Sequence, residues 1–150
     1  MAAGLTGGCA CGAVRYRLDA APYDAGFCHC RICQRSAGAP LNAFATVPAD
    51  AFVVTAGEVR WRRSSGFGRR GSCAACGAQL TIQVEFQADE IDFALASLDY
   101  PEAVAPGFHI FWAERVPWLR LADDLPRFDG WRPDTRGCPA SVAPEAPTDS

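Results

Sequence analysis

The chain has 150 residues, enough for one domain with an apolar core of its own. Apolar residues make up 49%, charged ones 21%, and the formal net charge is −3; the balance is that of an ordinary soluble globular protein and argues against a nucleic-acid partner. No apolar run approaches the ~18 residues of a membrane span. Met1 to Gly8 has neither a basic start nor an apolar stretch, so the expected setting is cytoplasmic and reducing, without a signal peptide or a membrane partner.

Cys9-Ala10-Cys11 comes first along the chain. Val14, Tyr16 and Leu18 then alternate with Arg15 and Arg17, as on a half-buried strand. The cluster Cys28-His29-Cys30-Arg31-Ile32-Cys33 follows, with a short helical turn expected over Arg31–Ala37. Residues 44–47, 52–55 and 59–63 read as strands. A third cluster, Cys73-Ala74-Ala75-Cys76, precedes an alternation of Leu80, Ile82, Val84 and Phe86 with polar partners. Residues 91–96 and 108–112 continue the pattern. Turn signals at Pro48-Ala49-Asp50, Ala56-Gly57, Ser65-Gly66 and Pro106-Gly107 separate these runs. No long 3.6-residue period occurs, so the chain reads as all-β. Residues 1–132 form the expected domain. Residues 133–150, rich in Pro, Ala, Ser and acid, read as a disordered tail.

Seven of the eight cysteines fall into the three clusters, and in a reducing setting such clusters mean metal rather than disulfides. Cys9 and Cys11 share a face if the backbone is extended, and Cys73 and Cys76 form a Cys-x-x-Cys knuckle followed by Gly77. Together they supply four thiolates, a closed structural zinc site. Cys28, Cys30 and Cys33 form an incomplete set of three, which leaves zinc an open position. Such an ion suits a fourth sulfur better than it suits making hydroxide. A substrate thiol held there would lose its proton and stay nucleophilic. The expectation is therefore two zinc ions per chain. The alternative is a noncatalytic binding module in which both zincs are structural, the second closed by Cys138 or another residue.

His29 is read as an outer partner or an exposed residue rather than a ligand, and His109 as a hydrogen-bonded core histidine. Arg31 and Arg35 flank the middle cluster and are candidate partners for the carboxylates of a thiol substrate. Arg60, Arg62, Arg63, Arg69 and Arg70 read as the solvent face of a hairpin. Trp61, Trp112, Trp118 and Trp131 read as packing residues.

Three stretches carry a resemblance to the glutathione-dependent formaldehyde-activating enzyme (GFA) family: 7–16 with Cys9-Ala10-Cys11, 28–40 with Cys28-His29-Cys30 and Cys33, and 73–80 with Cys73-Ala74-Ala75-Cys76-Gly77. His109-Ile110-Phe111 and Arg115-Val116-Pro117-Trp118 are similar to that family's C-terminal segment. The resemblance implies a zinc-pinned β-tent of small antiparallel sheets. It also implies structural zinc on Cys9, Cys11, Cys73 and Cys76, and catalytic zinc on Cys28, Cys30 and Cys33. The implied activity is that of a carbon–sulfur lyase joining formaldehyde to glutathione, with that small thiol as the partner.

Overall fold

The computed structural model describes residues 4–135. Cys138 and most of the expected tail lie outside the described residues. The described residues form ten strands and one α-helix. They run β1 (Thr6–Gly8), β2 (Arg15–Leu18), β3 (Tyr23–Cys28), α1 (Arg31–Ala37), β4 (Asn42–Pro48), β5 (Phe52–Ala56), β6 (Val59–Arg63), β7 (Gly68–Cys73), β8 (Gln79–Val84), β9 (Glu90–Ala94) and β10 (His109–Ile110). The expected β character, the helical turn at Arg31–Ala37 and the strand at 59–63 are all present. The alternation of Gln79–Val84 forms β8, while residues 85–87 leave the strand as a 3-10 turn.

Two sheets result. One is three-stranded, in the order β1-β2-β5; the other is seven-stranded, in the order β10-β3-β4-β9-β8-β7-β6. The larger sheet is mixed rather than purely antiparallel, because β10 runs parallel to β3. Residues 95–108 separate β9 from β10 and make this return possible, since parallel neighbours need a long connection.

Alternation assigns the faces of the large sheet. On β4, Ala45 and Val47 join Ile91 and Phe93 of β9 and Val14, Tyr16 and Leu18 of the first segment in one core between the sheets. Tyr16 anchors this core: it stacks on Phe52 at 4.5 Å and pairs its hydroxyl with Ser97 Oγ at 2.7 Å. Fully burying such side chains stabilises by about 1.5–3 kcal/mol each. The opposite parity of the same strands, Asn42, Phe44 and Thr46 on β4 and Glu90 and Asp92 on β9, lines a cavity on the other face. A second core of Cys28, Cys30, Ile32, Cys33, Phe44, Phe108, Ile110 and Phe111 flanks that cavity.

A register shift between Gly71 and Ser72 interrupts the β7–β8 pairing. Leu80 consequently packs in the first core, whereas Ile82 and Val84 turn to the cavity. Gly26 makes room for the second core, since a Cβ there would strike the Phe108 ring.

Candidate metal centre and its cavity

The outer cluster is assembled from two turns, with Cys11 and Cys76 exposed and Cys73 buried. Cys9 to Gly12 is not a strand as the two-residue spacing suggested. It is a tight turn closed by the Gly12 amide on the Cys9 carbonyl at 3.2 Å, with Gly12 at φ 81. The knuckle has the same logic: the Gly77 amide bonds the Cys73 carbonyl at 2.9 Å, and Gly77 has φ 79. The four sulfurs of Cys9, Cys11, Cys73 and Cys76 lie within 4.8 Å of one another. Cys9 to Cys11 is 3.6 Å and Cys11 to Cys73 is 3.9 Å. A tetrahedral ion with bonds of about 2.3 Å spaces its sulfurs ~3.8 Å apart, so this donor set fits zinc. Backbone amides already point at the sulfurs, Val14 N to Cys9 Sγ at 3.2 Å and Ala75 N to Cys73 Sγ at 3.3 Å. The Val14 amide leads the forces that lower the Cys9 thiol to about 6, which favours the thiolate a metal needs.

The middle cluster stands at a strand-to-helix junction. Cys28 ends β3, Cys30 is the N-cap of α1 and accepts the Cys33 amide on its sulfur at 3.3 Å, and Cys33 lies in the first turn. The three sulfurs again lie within 4.8 Å of one another, all buried. Among the described residues no fourth Cys, His, Asp or Glu ligand atom joins them. Arg70, from β7, donates to Cys33 Sγ at 3.2 Å and to Gln79 Oε1 at 3.1 Å. Hydrogen bonds from Cys28 and Cys30, aided by this guanidinium, hold the Cys33 thiol well below its ordinary value against the cost of burial. Cys28 is driven the other way, by its bonds to Cys30 and Cys33 and by burial. Cys33 is thus the most readily ionised of the three thiols, and a divalent cation would let all three sulfurs ionise.

Arg70 was expected on the solvent face of the β6–β7 hairpin. Arg60, Arg62, Arg63 and Arg69 are indeed exposed, but Arg70 is buried. Successive residues of β7 face opposite sides of the sheet, so Arg69 and Arg70 part company. Arg31 and Arg35 lie on the exposed side of α1 and are not among the cavity's lining residues. The Arg31 guanidinium donates to Gln34 Oε1, and the Gln34 amide in turn donates to the carbonyls of His29 at 2.6 Å and Glu114 at 3.0 Å.

His29 is buried, not exposed, and is no ligand in this arrangement. Its Nε2 meets His109 Nδ1 at 2.8 Å, and His109 Nε2 meets Asp123 at 3.1 Å. A carboxylate only accepts, so His109 donates from Nε2, which leaves its Nδ1 to accept from His29 Nε2–H. Burial, with the neighbouring ring, lowers the His29 value to about 4 and keeps it neutral. The chain Asp123–His109–His29 fastens the turn that carries Cys28 and Cys30 to β10.

The cavity beside the three sulfurs has a volume of about 210 Å³. Phe44, Phe67, Phe108, Phe111 and Trp131 supply its aromatic wall. Asp24 (φ 50) and Phe111 (φ 54), the positive-φ residues other than glycine among those described, both line it. Each costs of order 1 kcal/mol, and such backbone collects at functional sites. Asn42, opposite Cys28 in the β3–β4 register, has a buried Nδ2 without an acceptor.

Asp92 lies on the floor and accepts a hydrogen bond from Thr46 Oγ1 at 2.7 Å. Burial, reinforced by Glu90, Cys33 and Asp24, raises its carboxyl from 3.8 to about 7. The folded state therefore binds this proton more tightly than the unfolded chain. Stability from Asp92 is complete below pH 4 and is lost as pH rises towards 7. Asp92→Asn keeps a partner for Thr46 and cannot ionise. Relative to the parent protein it should gain about 2 kcal/mol of stability between pH 4.5 and pH 8, a shift tempered by the cavity's own water. Urea midpoints of both proteins at the two pH values measure this; a difference independent of pH would show that Asp92 ionises normally.

No helix among the described residues is long and apolar enough to cross a membrane. A crystal structure of a Rhodobacter sphaeroides protein, a structural-genomics target, is 22% identical to the chain with a TM-score of 0.55; the match covers 82% of this chain and 99% of the other, and shows a shared fold. No curated protein matches the chain significantly. The model of the glutathione-dependent formaldehyde-activating enzyme family matches residues 4–114, which include all seven clustered cysteines. The chain belongs to that family.

Proposed function

We propose that this protein is a two-zinc enzyme of the carbon–sulfur lyase type that joins a small, formaldehyde-like aldehyde to glutathione or a similar thiol, or releases it. The observation that carries the reading is the contrast between the clusters. The three-sulfur set lines a cavity, whereas none of the four sulfurs of the other set, which runs from buried Cys73 to exposed Cys11 and Cys76, belongs to that lining. Cys9, Cys11, Cys73 and Cys76 would hold a structural zinc, and Cys28, Cys30 and Cys33 the catalytic one. The domain would comprise residues 1–132, followed by the tail of 133–150, and its setting would be cytoplasmic.

When bound, the second zinc would supply a positive centre that keeps an incoming thiol sulfur deprotonated. The chain's own residues supply the rest. Arg70, with the hydrogen bonds from Cys28 and Cys30, favours the thiolate of Cys33, and the aromatic wall excludes bulk water from the reacting carbon. With its carboxyl raised to about 7, Asp92 exchanges a proton readily at neutral pH and is available in its protonated form. As the sulfur attacks the aldehyde carbon, the C–S bond forms and the carbonyl electron pair moves to oxygen. The oxygen takes the proton from Asp92, which recovers one from water. Release of the aldehyde runs the same path in reverse. Arg31 and Arg35, on the exposed side of α1, are the proposed partners for thiol carboxylates that stay in solvent.

Cobalt substitution tests the reading. Glutathione should alter the thiolate-to-cobalt charge-transfer bands of the middle site, and nuclear magnetic resonance should show faster interconversion of formaldehyde and its glutathione adduct. A spectrum unmoved by saturating glutathione, cysteine and 2-mercaptoethanol would leave the binding module as the better description.

A further inference from the structure

We propose that the sulfur compound taken at the middle site carries an uncharged, ring-sized apolar group seated against the aromatic wall of the cavity; this rests on the functional reading above. Three observations lead there. The first is size. A dry apolar cavity of about 150 Å³ accepts benzene, and the volume here is about 210 Å³. A one-carbon aldehyde would leave most of that space to water, including the part that faces the aromatic wall.

The second is the wall itself. Its rings are locked edge to face: Phe111 on Trp131 at 5.0 Å, Phe44 on Phe108 at 6.0 Å and Phe67 on Trp131 at 6.3 Å. These contacts fix the rings before any ligand arrives, so a flat apolar group would meet a ready-made surface.

The third is charge. The lining holds four carboxyl groups, on Asp24, Glu90, Asp92 and Asp134, against two guanidinium groups, on Arg70 and Arg132. Both cations are already engaged. Arg132 pairs with Asp24 at 3.1 Å and Asp134 at 3.5 Å, and its guanidinium lies 4.3 Å from the Phe108 ring centre. Arg70 donates to Cys33 and Gln79, and its remaining unpaired Nε is sealed from solvent. A carboxylate lying against the aromatic wall would face these carboxyl groups with both guanidinium groups already engaged, so the group seated there is neutral. The ring is either the thiol's own substituent or the group on the carbon joined to sulfur.

The two sources separate in a calorimetric experiment on the full, metal-containing chain. One arm compares benzyl mercaptan with 2-mercaptoethanol, and the other compares S-benzylglutathione with S-methylglutathione. The benzyl compound should bind at least about tenfold tighter in the arm that matches the natural source. Phe67→Leu, which trims the half-buried edge of the wall, should reduce that preference at least about threefold. Val54→Ala, at an exposed position outside the lining, should leave it unchanged. A preference below twofold in both arms, or one that Phe67→Leu does not reduce, overturns the proposal. Cobalt bands that respond to small thiols without any ring preference remove this inference alone. A ring preference confined to the glutathione thioethers, with cobalt bands deaf to every thiol, removes the thiol–zinc reading and keeps the apolar site.

Discussion

Replacing Cys73 with serine is expected to unfold the protein. Cys73 is 3% exposed and belongs to the core between the sheets. It ends β7, accepts the Ala75 and Cys76 amides on its sulfur, and lies 3.9 Å from Cys11 of the N-terminal turn. That turn joins β1 to β2, whose pairing holds its two ends, and the shared ion would tie its tip to the Cys73–Cys76 knuckle. Structural zinc contributes an apparent 10–16 kcal/mol or so in small zinc domains, whereas a whole domain is stable by only about 5–15 kcal/mol. A serine hydroxyl is a poor substitute for a thiolate, so a loss of at least about 3–5 kcal/mol is expected. Thermal melting and zinc content read it together. Cys28→Ser gives the contrast: a folded protein, weaker by about 2 kcal/mol, with one zinc and no turnover. The opposite ranking of the two variants would show that structural and catalytic clusters have been exchanged.

Arg70→Met should keep the fold and loosen the metal. The methionine fills much of the arginine's volume, so the lost functions are the charge and the two hydrogen bonds, to Cys33 Sγ and Gln79 Oε1. Without the guanidinium, Cys33 is a buried thiolate with no cation but the metal, and its affinity for zinc should fall about 10- to 100-fold. Arg70→Lys restores the charge with a single point donor and should recover part of the loss. Competition with a colorimetric chelator resolves one tight and one weakened zinc per chain. Two zincs held as tightly as in the parent protein would mean that Arg70 is only a packing residue.

The amino-acid sequence by itself carries the candidate ligand sets, because each is built from residues close in the chain. Cys9 with Cys11, Cys73 with Cys76, and Cys28 with Cys30 and Cys33 are close in the chain whatever the fold, and Gly12 and Gly77 mark the turns that aim them. The β character and the helix Arg31–Ala37 are legible for the same reason, as local alternation and spacing. Strands β1, β3 and β7 escape such reading. Thr6–Gly8 and Gly68–Cys73 have glycines and arginines where alternation would need apolar residues, and they are strands only because their neighbours pair with them.

The surroundings of the middle cluster are a product of the tertiary structure. Arg70 reaches Cys33 across 37 positions, and His29 reaches His109 across 80. The bulge at Gly71 and Ser72 interrupts the parity of β8, placing Leu80 in one core and Ile82 and Val84 on the cavity. Asp92 looks like any polar residue of an alternating strand until the strand order sets it on a cavity floor. Local sequence fixes which atoms can bind a metal. The order of the strands fixes what stands beside that metal, because charge, dryness and shape at a site come from residues that meet only when the sheet closes over them.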